Sequence, residues 1–286
     1  MTPEISVVVP VRDGASSLPA LLESLVAQDL DADRYEVIVV DNASRDATAE
    51  IATSHGVRVV TEPRPNRSGA RNAGARAARA DLFAFIDADC KAAPSWLRAL
   101  LASRGRAPLV AGPVLIDTHQ PPNAIERFES AWRFDQASAV KQGWAATANL
   151  LVERHALEAI GGFDTTYRHI GEDADFCLRA GRKGYGIDFC ESALVYHDAE
   201  HELSPVIRRA FFHGYSAAQV KRRLGVGHVA WRDPRVLLSP RAALRFHGID
   251  PRPLTRREKV TQAALATATY ASRVGGSVWA SLVRAR

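Results

Sequence analysis

Four short apolar runs punctuate the first 87 residues: ISVVVPV (Ile5–Val11), YEVIVVD (Tyr35–Asp41), VRVVTE (Val57–Glu62) and LFAFID (Leu82–Asp87). The first, a continuous β-branched run, suits a strand covered on both faces; YEVIVVD suits a second buried strand, and VRVVTE and LFAFID a third and fourth. Between them lie segments with helical spacing: Leu18–Ala27 with Ser16 or Ser17 as candidate cap, Ala47–His55, and the alanine-rich Ser68–Ala80 opened by Ser68 and Gly69. The order βαβαβαβ with short connections predicts an α/β fold, a mainly parallel sheet flanked by helices. Further on, PSWLRALLAS and IERFESAWRFDQASA read as helices, and PLVAGPVLI as a strand broken by Gly112 and Pro113. ATANLLVERHALEAIGGF reads as strand then helix, EDADFCLRAGRKG as a helix, and YGIDFCESALVYHD as one or two strands. Ser204–Gly225 reads as a helix with a serine cap, proline at its first position and a glycine stop. A Pro- and Arg-rich loop, Asp233–Arg257, leads to a last helical stretch.

Several charged residues sit where this fold binds ligands. In LFAFIDADC, Asp87 and Asp89 are two apart, so both carboxylates can converge beyond the end of a strand. Hard oxygen donors there suit Mg²⁺ or Mn²⁺ bridging to phosphate; solvated aspartates capping the helix near Pro94 are the simpler reading. Asp41 ends the second strand, where a carboxylate can hold a base N–H or a ribose hydroxyl, or close an Asx turn. Arg71 lies in the first turns of its helix, where a guanidinium and the helix N-terminus suit a phosphate. Glu172 and Asp173 start the EDADFCLRAG helix, either complementing its dipole or serving as a general base. His197, in LVYHD, suits a metal ligand or a buried structural histidine.

The motifs PVRDG, VVDNASRD, SGARNAG, FIDADC, GGFD, GEDADFCLRAGRKGY and VYH, in that order, resemble the family-2 glycosyltransferases with the GT-A fold. The resemblance runs from about Ile5 to His197, roughly two-thirds of the chain. It implies a Rossmann-like GT-A domain over residues 1–202; charge and helical spacing make residues 203–286 a basic, mainly helical C-terminal extension. By position, Pro10, Val11, Arg12 and Asp13 match the loop that touches the nucleobase, with Asp13 in place of a frequent Asn or Glu. Asp41 matches the base- or ribose-binding acid, and Arg71 the arginine near the pyrophosphate. Asp87, Ala88 and Asp89 match the DxD motif, with Asp89 as the direct metal ligand and Asp87 reaching ribose or metal-bound water. Asp173, beside Glu172, matches the catalytic base of inverting members, and His197 a histidine completing the metal's coordination. Gly161, Gly162, Phe163 and Asp164 match the segment flanking the acceptor.

The implied reaction moves one sugar from a nucleoside-diphosphate sugar to an acceptor hydroxyl with Mn²⁺ or Mg²⁺. UDP-sugars are the expected donors, with GDP- or dTDP-sugars as alternatives, and inversion is the expected outcome. The QxxRW motif of processive synthases is missing, and QGW at Gln142–Trp144 does not replace it, so a single transfer is expected. A sugar-phosphate nucleotidyltransferase is the competing enzyme class, but its glycine-rich loop with Arg and Lys has no counterpart in VRDGASS. A nucleotide-sugar-binding module without catalysis is the third reading, against which Asp41, Asp87, Asp89 and Asp173 argue.

Charge divides the chain. Of 37 Lys+Arg and 32 Asp+Glu, residues 203–286 hold 16 and 3, leaving 21 and 29 for residues 1–202. The Ser204–Gly225 helix combines Arg208, Arg209, Lys221, Arg222 and Arg223 with Phe211, Phe212 and Tyr215, which suits peripheral contact with an anionic membrane and a lipid-linked acceptor. Packing on the catalytic domain with solvated charges is the plainer alternative. Val260–Val283 has little charge, but Arg273, Gly275, Gly276 and its Thr and Ser residues make it a poor span. The basic residues form no nucleic-acid motif, so no nucleic acid is expected. Three cysteines without CxxC spacing, and no signal peptide after Met1, point to the cytoplasm with buried or inert thiols.

Overall fold

The computed structural model describes residues 2–132, 134–225, 244, 247, 249, 250 and 252–283. The first half runs β1 (Ile5–Val11), α1 (Leu18–Val26), β2 (Tyr35–Asp41), α2 (Thr48–Ser54), β3 (Arg58–Thr61), α3 (Arg67–Ala77), β4 (Leu82–Ile86), β5 (Cys90–Ala92), α4 (Trp96–Ala102), β6 (Leu109–Ala111) and β7 (Val114–Asp117). It continues with α5 (Ala124–Trp132), α6 (Gln136–Lys141), β8 (Asn149–Glu153), α7 (Arg154–Ile160), α8 (Glu172–Arg182), β9 (Ile187–Phe189), β10 (Val195–Asp198), α9 (Leu203–Leu224) and α10 (Arg256–Leu282). The chain divides into two compact units: Met1–Leu115 with Phe134–Arg168 and Glu172–His197, and Ile116–Arg133 with His169–Gly171 and Asp198–Arg286.

The first unit holds a seven-stranded sheet ordered β3-β2-β1-β4-β8-β6-β9. As expected of the Val- and Ile-rich runs, β1 pairs in parallel with β2 and β4, and β2 with β3. The sheet is not wholly parallel, because β8 runs antiparallel to both β4 and β6. Alternation sends Val7 and Val9 to one core, with Leu21, Leu22 and Trp96, and Val8 to the other, with Val40, Phe85 and Phe176. Register sets Val11 opposite Asp41 and Asp41 opposite Thr61, so these strands end along one edge. Helix α3 lies so close to the sheet that a Cβ on Gly74 would meet Val8 Cγ1 at 2.4 Å. The short strand β5 lies outside this sheet, in a three-stranded one ordered β5-β10-β7.

Some boundaries differ from the sequence expectation. Helix α3 starts at Arg67 because Asn66 caps it, accepting a bond from Gly69 N, and the predicted opener Ser68 lies inside the first turn. The predicted single helix over IERFESAWRFDQASA is two, the second capped by Asp135. The predicted serine cap of α9 is replaced by Glu202, with Ser204 and Pro205 inside the first turn; the glycine stop at Gly225 is left-handed, as expected. The Asp233–Arg257 loop lies largely outside the described residues.

The second unit is helical. Helix α10 opens on a capping box of Thr255 and Glu258. Its backbone meets α9 at glycines: a Cβ on Gly214 would lie 1.8 Å from Arg273 O, and one on Gly276 1.9 Å from Phe211 O. Phe128 of α5, Val206 of α9 and Ala266 and Tyr270 of α10 fill the core between these helices.

Candidate active site

The loops after β1 and β2 are tied together by side chains. Asp13 N donates to Ser44 Oγ (3.0 Å), Arg45 N to Asp13 Oδ1 (2.8 Å) and Ala15 N to Asp46 Oδ2 (2.9 Å). Asp13 itself takes a positive φ of 52°, which a short polar side chain tolerates better than a bulky one. This fixes Pro10, Val11, Arg12 and Asp13 as a rigid lip, with Val11 buried and Arg12 exposed. Asp41 is buried and accepts a bond from Ser44 N (3.1 Å), so one carboxylate oxygen closes the turn that follows.

Behind this lip lies a buried ionic cluster. Arg71 is 2% exposed; its Nη1 donates to Glu172 Oε1 (2.6 Å) and its Nη2 to Asp87 Oδ1 (3.1 Å). Glu172 is 3% exposed, and Arg67 Nη1 lies 3.7 Å from the same oxygen. The Phe163 ring lies 5.6 Å from the Arg71 guanidinium. Burial works against the charge of Asp87, but Arg71, Arg67 and His197 outweigh it and lower its pKa. Arg71 Nε, Glu172 Oε2 and Ser68 Oγ are buried without a hydrogen-bond partner among the described residues, so the cluster keeps polar capacity unspent. Asp173 goes the other way. Burial, joined by the charge of Glu172, pushes its carboxyl up to about 7. A carboxylate with that pKa is poised to take a proton near neutral pH.

The DxD motif splits at its middle. Asp87 faces Arg71, whereas Asp89 faces His197, whose Nε2 lies 3.3 Å from Asp89 Oδ1. The β5–β10 ladder makes this contact, because it sets His197 directly opposite Cys90. Directly opposed residues share a face of the sheet, so the Cys90 thiol joins the pair. Ligand atoms of Asp89, Cys90 and His197 all lie within 4.8 Å of one another. His197 is held by burial and by the Phe134 ring at 5.2 Å, while Asp89 is 49% exposed and open to a ligand. A carboxylate and an imidazole at this separation, on a rigid ladder, fit a divalent cation.

The structure thus brings Arg71, Asp87 and Glu172 into one cluster and Asp89 and His197 into another. It also shows partners that the sequence reading did not name. Arg67, exposed on the first turn of α3, and Phe134 had no local signal. Cys90 is buried, as expected of these thiols, but its place beside His197 has no sequence signal, since the three residues of β5 are too few to show a strand period. All three cysteines are buried, and none forms a disulfide among the described residues. Asp164 accepts a bond from Thr166 N (2.8 Å), and Asn72 clamps the Gly161–Asp164 segment by donating to Phe163 O and accepting from Phe163 N. Gly162 has a φ of 72°, and a Cβ there would lie 2.7 Å from Asn72 Oδ1.

Residues 6–147 match the family model described as glycosyl transferase family 2, and residues 82–246 that of glycosyl transferase family group 2. Glycosyltransferase AglE of Haloferax volcanii is 28% identical over 229 residues, covering 76% of this chain and 74% of that protein. The pre-mycofactocin glycosyltransferase of Mycobacterium tuberculosis is 31% identical over 234 residues, covering 77% of this chain. The chain spans 48% of that relative's length. Among solved structures, the mannosyltransferase PcManGT of Pyrobaculum calidifontis, in complex with GDP-Man and Mn²⁺, superposes with a TM-score of 0.64 at 19% identity, covering 99% of this chain and 88% of that one. TarS 1–349 of S. aureus in complex with UDP-GlcNAc gives 0.54 at 15% identity, covering 94% and 91%. These structures share the fold, with its mainly parallel sheet flanked by helices. From the sequence matches and that fold together, the chain belongs to the family-2 glycosyltransferases of the GT-A fold.

Proposed function

We propose that the chain transfers a single sugar from a nucleoside-diphosphate sugar to an acceptor hydroxyl, with inversion and with Mn²⁺ or Mg²⁺. The observation that carries this reading is the Asp89–His197 pair at 3.3 Å, two residues past the Asp87 carboxylate that faces Arg71. Structural neighbours in complex with GDP-Man and Mn²⁺, or with UDP-GlcNAc, support a nucleotide-sugar donor. UDP-sugars remain the favoured donors, with GDP- and dTDP-sugars as alternatives. When bound between Asp89 and His197, a divalent cation would offset the charge that grows on the departing diphosphate.

The chain's own residues divide the remaining work. The Pro10–Asp13 lip and Asp41 would hold the nucleoside, Asp41 with the carboxylate oxygen not engaged by Ser44. Arg71, buried between two carboxylates, holds the cluster together, and the half-exposed Arg67 is the cation offered to the diphosphate. Asp173 would take the acceptor's proton as the acceptor oxygen attacks the anomeric carbon, while burial, joined by the charge of Glu172, keeps the Asp173 pKa high. The decisive experiment screens nucleotide sugars by thermal shift with and without Mn²⁺, then measures transfer. Asp89→Ala should abolish the Mn²⁺-dependent shift and lower turnover at least ~10³-fold, as expected when several kcal/mol of charge stabilisation is lost. An unchanged Mn²⁺-dependent shift in that variant would remove Asp89 from the site.

A further inference from the structure

We propose that the outward face of α10 docks on the surface of an anionic lipid bilayer, a property independent of the transferase reading. Helix α10 buries Gln262, Ala263, Leu265, Ala266, Thr269, Tyr270, Gly276 and Ala280. Its opposite face consists of Val260, Ala264, Ala268, Ala271, Gly275, Val278, Trp279 and Leu282, all exposed at helical spacing. Val260 is 67% exposed, Trp279 54% and Leu282 59%. This stripe runs about 33 Å at 1.5 Å per residue. From Val260 to Val283 the one charged residue is Arg273, which is half-buried. A helix face left in water ordinarily carries Lys and Glu. This one carries neither, so a partner without charge-pairing demands fits it.

The surroundings of the stripe say which partner. Arg256, Arg257 and Lys259 are exposed at its start. At its end, Arg222 and Arg223 of α9 share a cleft with Ala280 and Val283, and Lys221 is exposed beside them in sequence. The one carboxylate of α10, Glu258, is spent on the Thr255 capping box, and no Asp or Glu follows it in the chain. A second copy of this face would bring the Arg256, Arg257 and Lys259 end against an α10 that carries no Asp or Glu besides Glu258. An anionic headgroup layer complements both ends, and the apolar stripe with Trp279 suits the boundary between headgroups and acyl chains. No helix among the described residues is long and apolar enough to cross a membrane, so the helix would lie in the surface plane.

The test is co-sedimentation of the full chain with vesicles of phosphatidylcholine alone or mixed with phosphatidylglycerol. Binding to the mixed vesicles, weakened by added salt, is expected. Val278→Glu with Leu282→Glu, both at exposed positions, should reduce it on the order of tenfold or more, since each buried apolar side chain contributes at this scale. Arg256→Gln, Arg257→Gln and Lys259→Gln together should reduce it at least as much. Melting temperatures of both variants should match the parent, showing that the fold is intact. Equal binding to neutral vesicles, no binding to either, or unchanged binding by the variants overturns the proposal. So does a dimer in light scattering that the double glutamate variant dissociates without any vesicle binding by the parent.

Discussion

In the catalytic unit Arg71 and Glu172 are buried charges, while in the helical unit Val278, Trp279 and Leu282 are exposed apolar side chains. Both depart from the ordinary sorting of residues, and for different reasons. Taking two ions out of water costs several kcal/mol each, so Arg71 and Glu172 persist because they pair with one another, with Arg71 also paired to Asp87. Their burial fixes three side chains beside a carboxylate, Asp173, whose proton affinity is raised. The stripe of α10 carries no such internal reward. The helix is held by its opposite, buried face, and the proposed bilayer would give the stripe the apolar contact it lacks in water. A buried charge cluster therefore marks where this chain holds geometry for chemistry, and an uncharged exposed helix face marks where it meets a surface.

The comparison can be broken most sharply at Asp173. Asp173→Asn should lower kcat by roughly 10²–10⁴-fold while leaving nucleotide binding in place, the loss expected of a general base. In the parent, kcat should climb as pH rises toward about 7 and level off above it, because only the carboxylate accepts a proton. Stability should show the opposite trend. The folded chain holds this proton more tightly than the unfolded chain, so stability falls as pH rises from the ordinary carboxylate range to about 7. Denaturant titrations across that window should show the slope diminished in the Asn variant.

Next comes the cluster itself. Arg71→Ala should cost about 3–5 kcal/mol of stability by leaving Glu172 buried and unpaired. Arg71→Lys should not restore it, since a single ammonium cannot span Glu172 and Asp87 as the guanidinium fork does. Urea denaturation of both variants checks this. In the helical unit the vulnerable points are steric. Gly214→Ala sets a methyl against the Arg273 carbonyl and should cost roughly 1–3 kcal/mol, read as a lower urea midpoint. Thr255→Ala, which removes the capping box, should cost only about 1 kcal/mol, visible as earlier melting of α10 by hydrogen exchange.

How much could be read in advance differs between the elements. Strands β1, β2 and β4 were legible because a strand covered on both faces is largely apolar, and the chain just past their ends carries the candidate ligands; β3, at the sheet edge with Arg58 and Thr61 exposed, was legible only from its paired valines. The left-handed stop at Gly225 was legible for a local reason as well, since glycine alone enters that conformation freely. The starts of α3 and α9 were not: Asn66 takes the cap from the nearby Ser68, and α9 begins one residue before its serine, after Glu202, with no side-chain cap bond. Strand β5 was not legible at all: its three residues gain strand geometry only by pairing with β10, more than a hundred positions later.

By itself, then, the sequence determined the α/β order, the sheet edge at which Asp41, Asp87 and Asp89 collect, and the charge contrast between the two parts of the chain. These follow from period and composition, which act over a few neighbouring residues. Only the tertiary structure decided that Asp87 pairs with Arg71 while Asp89 pairs with His197. It alone buried Arg71 and left Arg67 exposed, and it turned the uncharged stripe of α10 outward. Each of those outcomes depends on which surfaces lose water together, and desolvation is a property of the packed chain rather than of any local segment.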